Sequence, residues 1–269
     1  MLYLRSISAT YFLLAALTFS QLFTPVQLEA AHLYALLVAD TVDDSIGDYC
    51  GKDLRSMQRE LQNIASKTGL RLRLTALQGG ATAADQVLQH LAQIQPGSDD
   101  VVFLYFSMHG FRTTSKQDIW PDLYFNNGEN ALDFNSINQV AINKNPRLLI
   151  SIADVCNNVL PDGSIPIVQA KALLDREKAA RTEKNYRQLF LSSAGTIIVS
   201  GSIPGQSSWS YRKGSLYTLE WLKSLKTEVE GRGVANWTAM LNRASQGTAS
   251  TSSGSFGELQ NPQFQISLR

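Results

Sequence analysis

The sequence predicts an α/β fold: a three-layer α/β/α sandwich around a mostly parallel central sheet. Three observations carry this. Continuous apolar runs of strand length recur at Leu33–Asp40, Val101–Phe106, Leu148–Ala153 and Thr196–Gly201, the pattern of strands buried on both faces. Helical runs separate them, as crossovers between parallel strands require. The chain has 269 residues and is 44% hydrophobic, enough for one substantial core.

Each element has its own signal. After "LYALLVAD" comes the acidic, glycine-containing turn "TVDDSIGDYCG". Leu54, Met57, Leu61, Ile64 and Ala65 then recur at three and four, a helical face, with Gly69 where a C-cap belongs. "LRLRLTAL", Leu70–Leu77, alternates apolar and basic residues and suits a strand with one wetter face. Thr82 is the expected cap of a helix carrying Ala84, Val87, Leu88, Leu91 and Ile94, stopped by Pro96-Gly97. Between the second and third apolar runs a polar stretch with Trp120, Pro121 and "FNNGEN" predicts a hairpin or loop excursion. Lys171–Gln188 is charged and helix-favouring. Gly214–Leu225 and Val234–Ala244 are further expected helices. "SQGTASTSSGS", Ser245–Ser255, is poor in apolar residues and predicts a mobile loop.

The N-terminus differs from the rest. No charged residue lies between Arg5 and Glu29. Within that gap "YFLLAALTF" is a short apolar segment, and "LEAA" is a small-residue exit. Residues 1–30 therefore read as a secretory signal cleaved near Ala30 or Ala31, leaving 31–269 as an exported domain, periplasmic or secreted. The rival reading is an uncleaved anchor, because the gap is long enough to cross a bilayer. Pro25 and the polar residues Ser20, Gln21, Thr24 and Gln27 argue against it. The formal charge of +1 gives no reason to expect nucleic acid. Two cysteines are too few for a disulfide framework or a thiolate zinc site. No P-loop or GxGxxG follows the first strand, which leaves a flavodoxin-like small-molecule binder without support.

Ligands bind at the carboxyl ends of parallel strands. Two of the apolar runs end there on reactive side chains. "VVFLYFSMHGF" reaches His109 three positions beyond Phe106, and "LLISIADVCNNV" reaches Cys156 three positions beyond Ala153. If the two strands are parallel neighbours, their ends lie about 5 Å apart, and equal overhang brings imidazole and thiol together. A thiolate is the nucleophile, and a nearby histidine activates it and returns the proton to the leaving group. Taken singly, the cysteine reads as a small buried hydrophobe and the histidine as a loop residue. The matching strand ends favour the joint reading.

These residues carry a family resemblance. A histidine about 50 residues upstream of the cysteine is the caspase order. "FLYFSMHG" resembles that family's strand ending in Ser-Gly-His-Gly, and "ISIADVCNNV" its strand ending in Asp-Ala-Cys-His-Ser-Gly. "YCGKDLRSM", "SSWSYRKGSLYT" and "QNPQF" match further segments in the expected order. From Leu33 to Arg269 the chain resembles the caspase-like cysteine peptidases, a caspase-hemoglobinase-like fold, within them the metacaspase and orthocaspase branch.

The resemblance implies Cys156 as nucleophile, His109 as general acid/base, and the backbone N–H groups of Gly110 and Cys156 as oxyanion hole. It implies an acidic substrate pocket at Cys50, Asp53, Ser107 and Asp154. Ser210 follows Trp209 where Asp-cutting relatives carry arginine. The implied substrate is a protein or peptide cut after Arg or Lys, with no nucleic acid and no membrane once the signal is removed. Plainer roles stay open: Asp53 as a helix N-terminal dipole partner, Asp154 as a strand terminator.

Met108 replaces the glycine before the histidine, and Asn157, Asn158 and Val159 replace His-Ser-Gly. These departures support an alternative: a weak or inactive caspase-like binding or regulatory module. Cys50 and Cys156 are also candidates for a disulfide if the protein is exported. Calcium enters through the resemblance as a candidate activator. Asp118, Asp122, Asp133 and Asp162 are oxygen donors of the right kind, as are Asp40, Asp43, Asp44 and Asp48, but no fixed-loop spacing assigns a metal site. The basic residues from Lys171 to Arg187 are a candidate self-processing stretch, or a solvated helix face.

Overall fold

A computed structural model describes residues 30–125, 130–160, 180–211 and 213–269. The secretory-signal expectation for 1–30 lies outside them but for Ala30, as do Asp162 and most of the basic stretch beginning at Lys171. Ala31–Arg269 pack as one unit.

The first apolar run is β1 (His32–Ala39). It feeds α1 (Gly47–Thr68), which ends at Gly69 as the sequence requires. β2 (Arg71–Gln78) and α2 (Ala84–Gln93) follow. Thr82 is not the cap of α2. The N-cap is Ala83, and the Thr82 hydroxyl donates instead to the carbonyl of Ala39, stitching the helix entry to the end of β1.

The second run is β3 (Val101–Ser107). The expected excursion is more ordered than a loop. It holds β4 (Gly110–Thr113), β5 (Asp122–Phe125), β6 (Asn130–Asp133) and a helix, α3 (Phe134–Asn143). The sequence reading missed α3 because its exposed face is rich in amides. Its start is nonetheless built correctly, since the Asp133 carboxylate accepts from the backbone N–H groups of Asn135 and Ser136.

Then come β7 (Leu148–Asp154), β8 (Val159–Leu160), α4 (Ala180–Phe190) and β9 (Gly195–Ser200). The hairpin of β10 (Ser210–Tyr211) and β11 (Gly214–Ser215) leads into α5 (Leu216–Glu230). α6 runs from Trp237 to Phe256, so the predicted mobile loop at Ser245–Ser255 is helix. Small residues there let α5 come close: a Cβ on Gly247 would meet the Glu220 carboxylate at 2.3 Å. Thr248 and Ser252 are buried and donate to carbonyls of their own helix. Packing overrides the weak propensity. β12 (Gln263–Leu268) closes the sheet.

The central sheet runs β12-β9-β7-β3-β1-β2. All neighbours are parallel except β12, which lies antiparallel on β9. Strand alternation sends side chains to two cores. Leu33, Leu37, Phe103, Tyr105, Ile150 and Val199 face α1, α4, α5 and α6. Leu36, Val38, Leu104, Phe106 and Leu149 face α2 and α3. This is the predicted three-layer sandwich.

Candidate active site

Both reactive strand ends lie where the sequence requires. β3 and β7 are parallel neighbours, and Ser107 and Asp154 are their last register partners. Each chain continues two residues further, to His109 and to Cys156. Histidine and cysteine line one hollow of about 50 Å³ together with Cys50, Met108, Asp154 and the serine wall of Ser207 and Ser208.

His109 is held from the turn after β1. Its Nε2 lies 3.2 Å from Oδ2 of Asp43. The other carboxylate oxygen of Asp43 accepts from the N–H and hydroxyl of Ser45 and from the N–H of Ile46. Burial alone would raise the Asp43 carboxyl. The three turn hydrogen bonds and the nearby imidazole win, and hold it at about 2.

Cys156 sits under the 207–210 segment. Its sulfur accepts from the N–H of Ser208 at 3.3 Å and lies 3.7 Å from the Ser208 carbonyl. Burial pushes this thiol up, opposed by the Ser208 N–H, and the charge of Asp154 adds to the rise. Cys50 and Cys156 are both free thiols. Cys50 is buried in the core, where burial and Asp53 push its thiol well up.

Of the four expected pocket residues, Cys50 and Asp154 line the hollow, whereas Asp53 and Ser107 lie beneath it. The Asp53 and Asp154 carboxylates each accept three hydrogen bonds. Asp53 accepts from the Ser107 hydroxyl and from the N–H and hydroxyl of Ser215. Asp154 accepts from the Ser208 hydroxyl and from the N–H and hydroxyl of Thr218, in the first turn of α5. Asp154 thus caps α5 as well as ending β7. Burial and then the Asp154 charge push the Asp53 carboxyl up to about 7, against the pull of Ser215 and Ser107. Burial raises Asp154 too.

Gly110 has no room for a side chain. A Cβ there would lie 2.5 Å from Val155 and 2.6 Å from the carbonyl of Cys156. Tyr124 N donates to His109 O on one side of β4, and Arg112 N donates to Asn158 O on the other. Strand alternation therefore turns the Gly110 N–H toward the Cys156 side.

The departures from the expected motif are structural. Met108 is buried in the α2/α3 core. The buried Asn157 amide donates to the carbonyls of Ile119 and Ser202, and its backbone pairs with Gly205 and Gln206. Asn158 donates to Ser207. The two amides after the thiol tie the 202–207 segment to the end of β7.

Asp118, Asp122 and Asp133 do converge, but on Lys116, whose ammonium lies 3.7, 2.8 and 2.5 Å from them. Among the described residues, no group of three His, Cys, Asp or Glu side chains is placed to hold a metal ion.

Several site residues escaped the sequence reading. Asp43 was one of four acids in a turn, with nothing to single it out. Ser208, Ser215 and Thr218 were visible only as part of "SSWSYRKGSLYT", and their place beside Asp53 and Asp154 gives them their roles. Gln260 was visible only as part of "QNPQF". It is buried, accepts from Trp209 N, and donates to Gly201 O and to the Ser208 hydroxyl.

The model of the caspase domain matches residues 35–269. No curated protein matches the chain. The match covers both strand ends, the serine wall and the closing strand, and the chain belongs to the caspase-domain family of cysteine peptidases.

Proposed function

We propose that the chain is an endopeptidase that cuts after Arg or Lys, with Cys156 as nucleophile and His109 as general acid/base. The observation that carries the specificity is the acidic floor. Asp154 lines the hollow that holds thiol and imidazole, and Asp53 lies beneath it. Among the described residues no cation pairs with either carboxylate, and the Asp154 charge adds to burial in making Asp53 harder to ionise; a substrate guanidinium or ammonium supplies the missing positive charge.

In the proposed reaction the thiol proton passes to His109 and the sulfur attacks the scissile carbonyl. The N–H groups of Gly110 and Cys156 receive the oxyanion. Collapse gives an acyl-enzyme while the imidazolium protonates the leaving amine. Water, deprotonated by the same imidazole, then releases the acid. A hollow of about 50 Å³ holds a few waters but not an arginine side chain. The 207–210 segment therefore moves aside when substrate enters.

The test is turnover of Arg-, Lys- and Asp-terminated fluorogenic peptides, with Cys156→Ala as control. Basic peptides are cut by wild type alone. Equal rates for wild type and variant on every basic peptide would remove the reading. The closed wall favours a second reading, a caspase-like binding module without turnover. Covalent labelling of Cys156 by an arginyl chloromethyl ketone separates the two, since a silent module leaves the thiol unlabelled.

A further inference from the structure

The geometry points to Asp43 as the positioning residue that completes a Cys156–His109–Asp43 relay. The inference rests on the peptidase reading of the site and adds a third member to it.

An imidazole that takes a thiol proton needs its ring fixed and its tautomer chosen. A neutral histidine carries one proton on two nitrogens, and the nitrogen facing an anionic acceptor keeps it. Here Nε2 faces Oδ2 of Asp43 at 3.2 Å. A carboxylate held at about 2 is an acceptor at any neutral pH. The proton therefore stays on Nε2, and Nδ1 keeps its lone pair, open to the thiol proton. When Cys156 transfers its proton to Nδ1, the imidazolium donates its Nε2–H to Asp43. The charge formed on the ring is met by one already in place, and no other reactant is needed.

Asp43 is built for a fixed position. Its Oδ1 is pinned by three donors from Ser45 and Ile46, at 2.5–3.0 Å. These bonds form the turn that opens α1, so Oδ2 cannot swing away from the ring without unmaking the helix start. Both partners are mostly shielded from water: the His109 side chain is 14% exposed and that of Asp43 17%. Screening of the pair is correspondingly weak. Asp40 is the neighbouring acid, but it is buried and carries a raised carboxyl, a poorer partner for an imidazolium.

Asp43→Asn separates positioning from turn-building. The amide oxygen still accepts from Ser45 and Ile46, but the amide nitrogen presents a donor to Nε2. We expect kcat on an arginyl peptide to fall on the order of 100-fold with KM unchanged. In ¹⁵N-histidine-labelled protein, neutral His109 carries its proton on Nε2 in wild type and on Nδ1 in Asp43→Asn. Ser45→Ala, which loosens the turn but keeps the charge, leaves the tautomer unaltered and lowers kcat only a few-fold. A wild-type tautomer in Asp43→Asn, or a kcat within threefold of wild type, would overturn the relay. The tautomer is read without turnover. If Cys156→Ala matches wild type on all peptides, the peptidase reading falls while the NMR result still decides the role of Asp43.

Discussion

Asp154 acts on Asp53 from within one buried floor: after burial itself, its charge is the main reason the Asp53 carboxyl stands at about 7. Near neutrality Asp53 is therefore poised between its two forms. On the proposed function a basic substrate residue favours the ionised form, and binding then tightens as pH rises. We expect KM for an arginyl peptide to fall by about tenfold between about pH 6 and 8. Asp53→Asn, nearly isosteric, flattens that dependence and raises KM about 10- to 100-fold, the loss of one charge-assisted bond. Initial rates across pH with both proteins check this. A KM independent of pH in wild type contradicts it.

Glu60 of α1 gives a second pH dependence, this time in stability. It accepts from the Tyr186 hydroxyl of α4 at 2.6 Å. Burial pushes its carboxyl up from 4.5 to about 7, against the pull of Tyr186 and Asn63. A carboxyl raised on folding stabilises the native state fully below the unfolded value of 4.5. That stabilisation is lost as pH climbs through about 7. Glu60→Gln removes this part of the slope. Its melting temperature relative to wild type rises steadily from about pH 4.5 to about pH 8. Parallel melting curves for the two proteins would count against the assignment.

Gln260 clamps the segment that covers the thiol. Its amide holds Trp209 N and Gly201 O out of water, and the Ser208 hydroxyl in a half-buried position. Gln260→Ala strips the buried Trp209 N and Gly201 O of this partner and costs about 2–4 kcal/mol of stability. It also loosens Ser208 from the sulfur, so iodoacetamide alkylates Cys156 several-fold faster. Denaturant titration and mass-resolved alkylation measure the two effects separately. An unchanged alkylation rate removes the clamp.

Lys116 is an internal counter-ion. Its ammonium joins the strand ends at Asp122 and Asp133, and its side chain is 10% exposed. Lys116→Gln leaves three carboxylates facing one another and costs on the order of 2 kcal/mol, less than a fully buried pair. The loss grows as pH rises through the carboxylate range, because only ionised aspartates repel. Thermal melts at about pH 4 and about pH 8 test both size and sign.

The sheet was legible because its strands are buried on both faces and write themselves as unbroken apolar runs. The reactive ends were legible because an apolar strand that stops on His or Cys has no packing reason to do so. α3 and the second half of α6 were not legible. Asn135, Asn138 and Asn143 dilute the apolar stripe of α3, and α6 trades side-chain bulk at Gly247 and Thr248 for a close approach to α5. β12 was missed for a related reason: as an edge strand it alternates weakly, with Gln263 and Gln265 between Phe264 and Ile266. Asp43 was invisible for a different reason. Its partner His109 lies 66 positions away in sequence, and only the β1–β3 pairing brings the turn after β1 over the end of β3.

The antiparallel β12 has a consequence for biosynthesis. The polypeptide just before it, at Gln260, supplies the bonds that seat Trp209 and Ser208 over the sulfur. A ribosome making this protein must therefore translate past residue 260 before those bonds can form. Until then the nascent chain has strands and a thiol but no finished cleft, so the order of synthesis itself delays assembly of the site until Gln260 has emerged, more than 100 residues after the thiol.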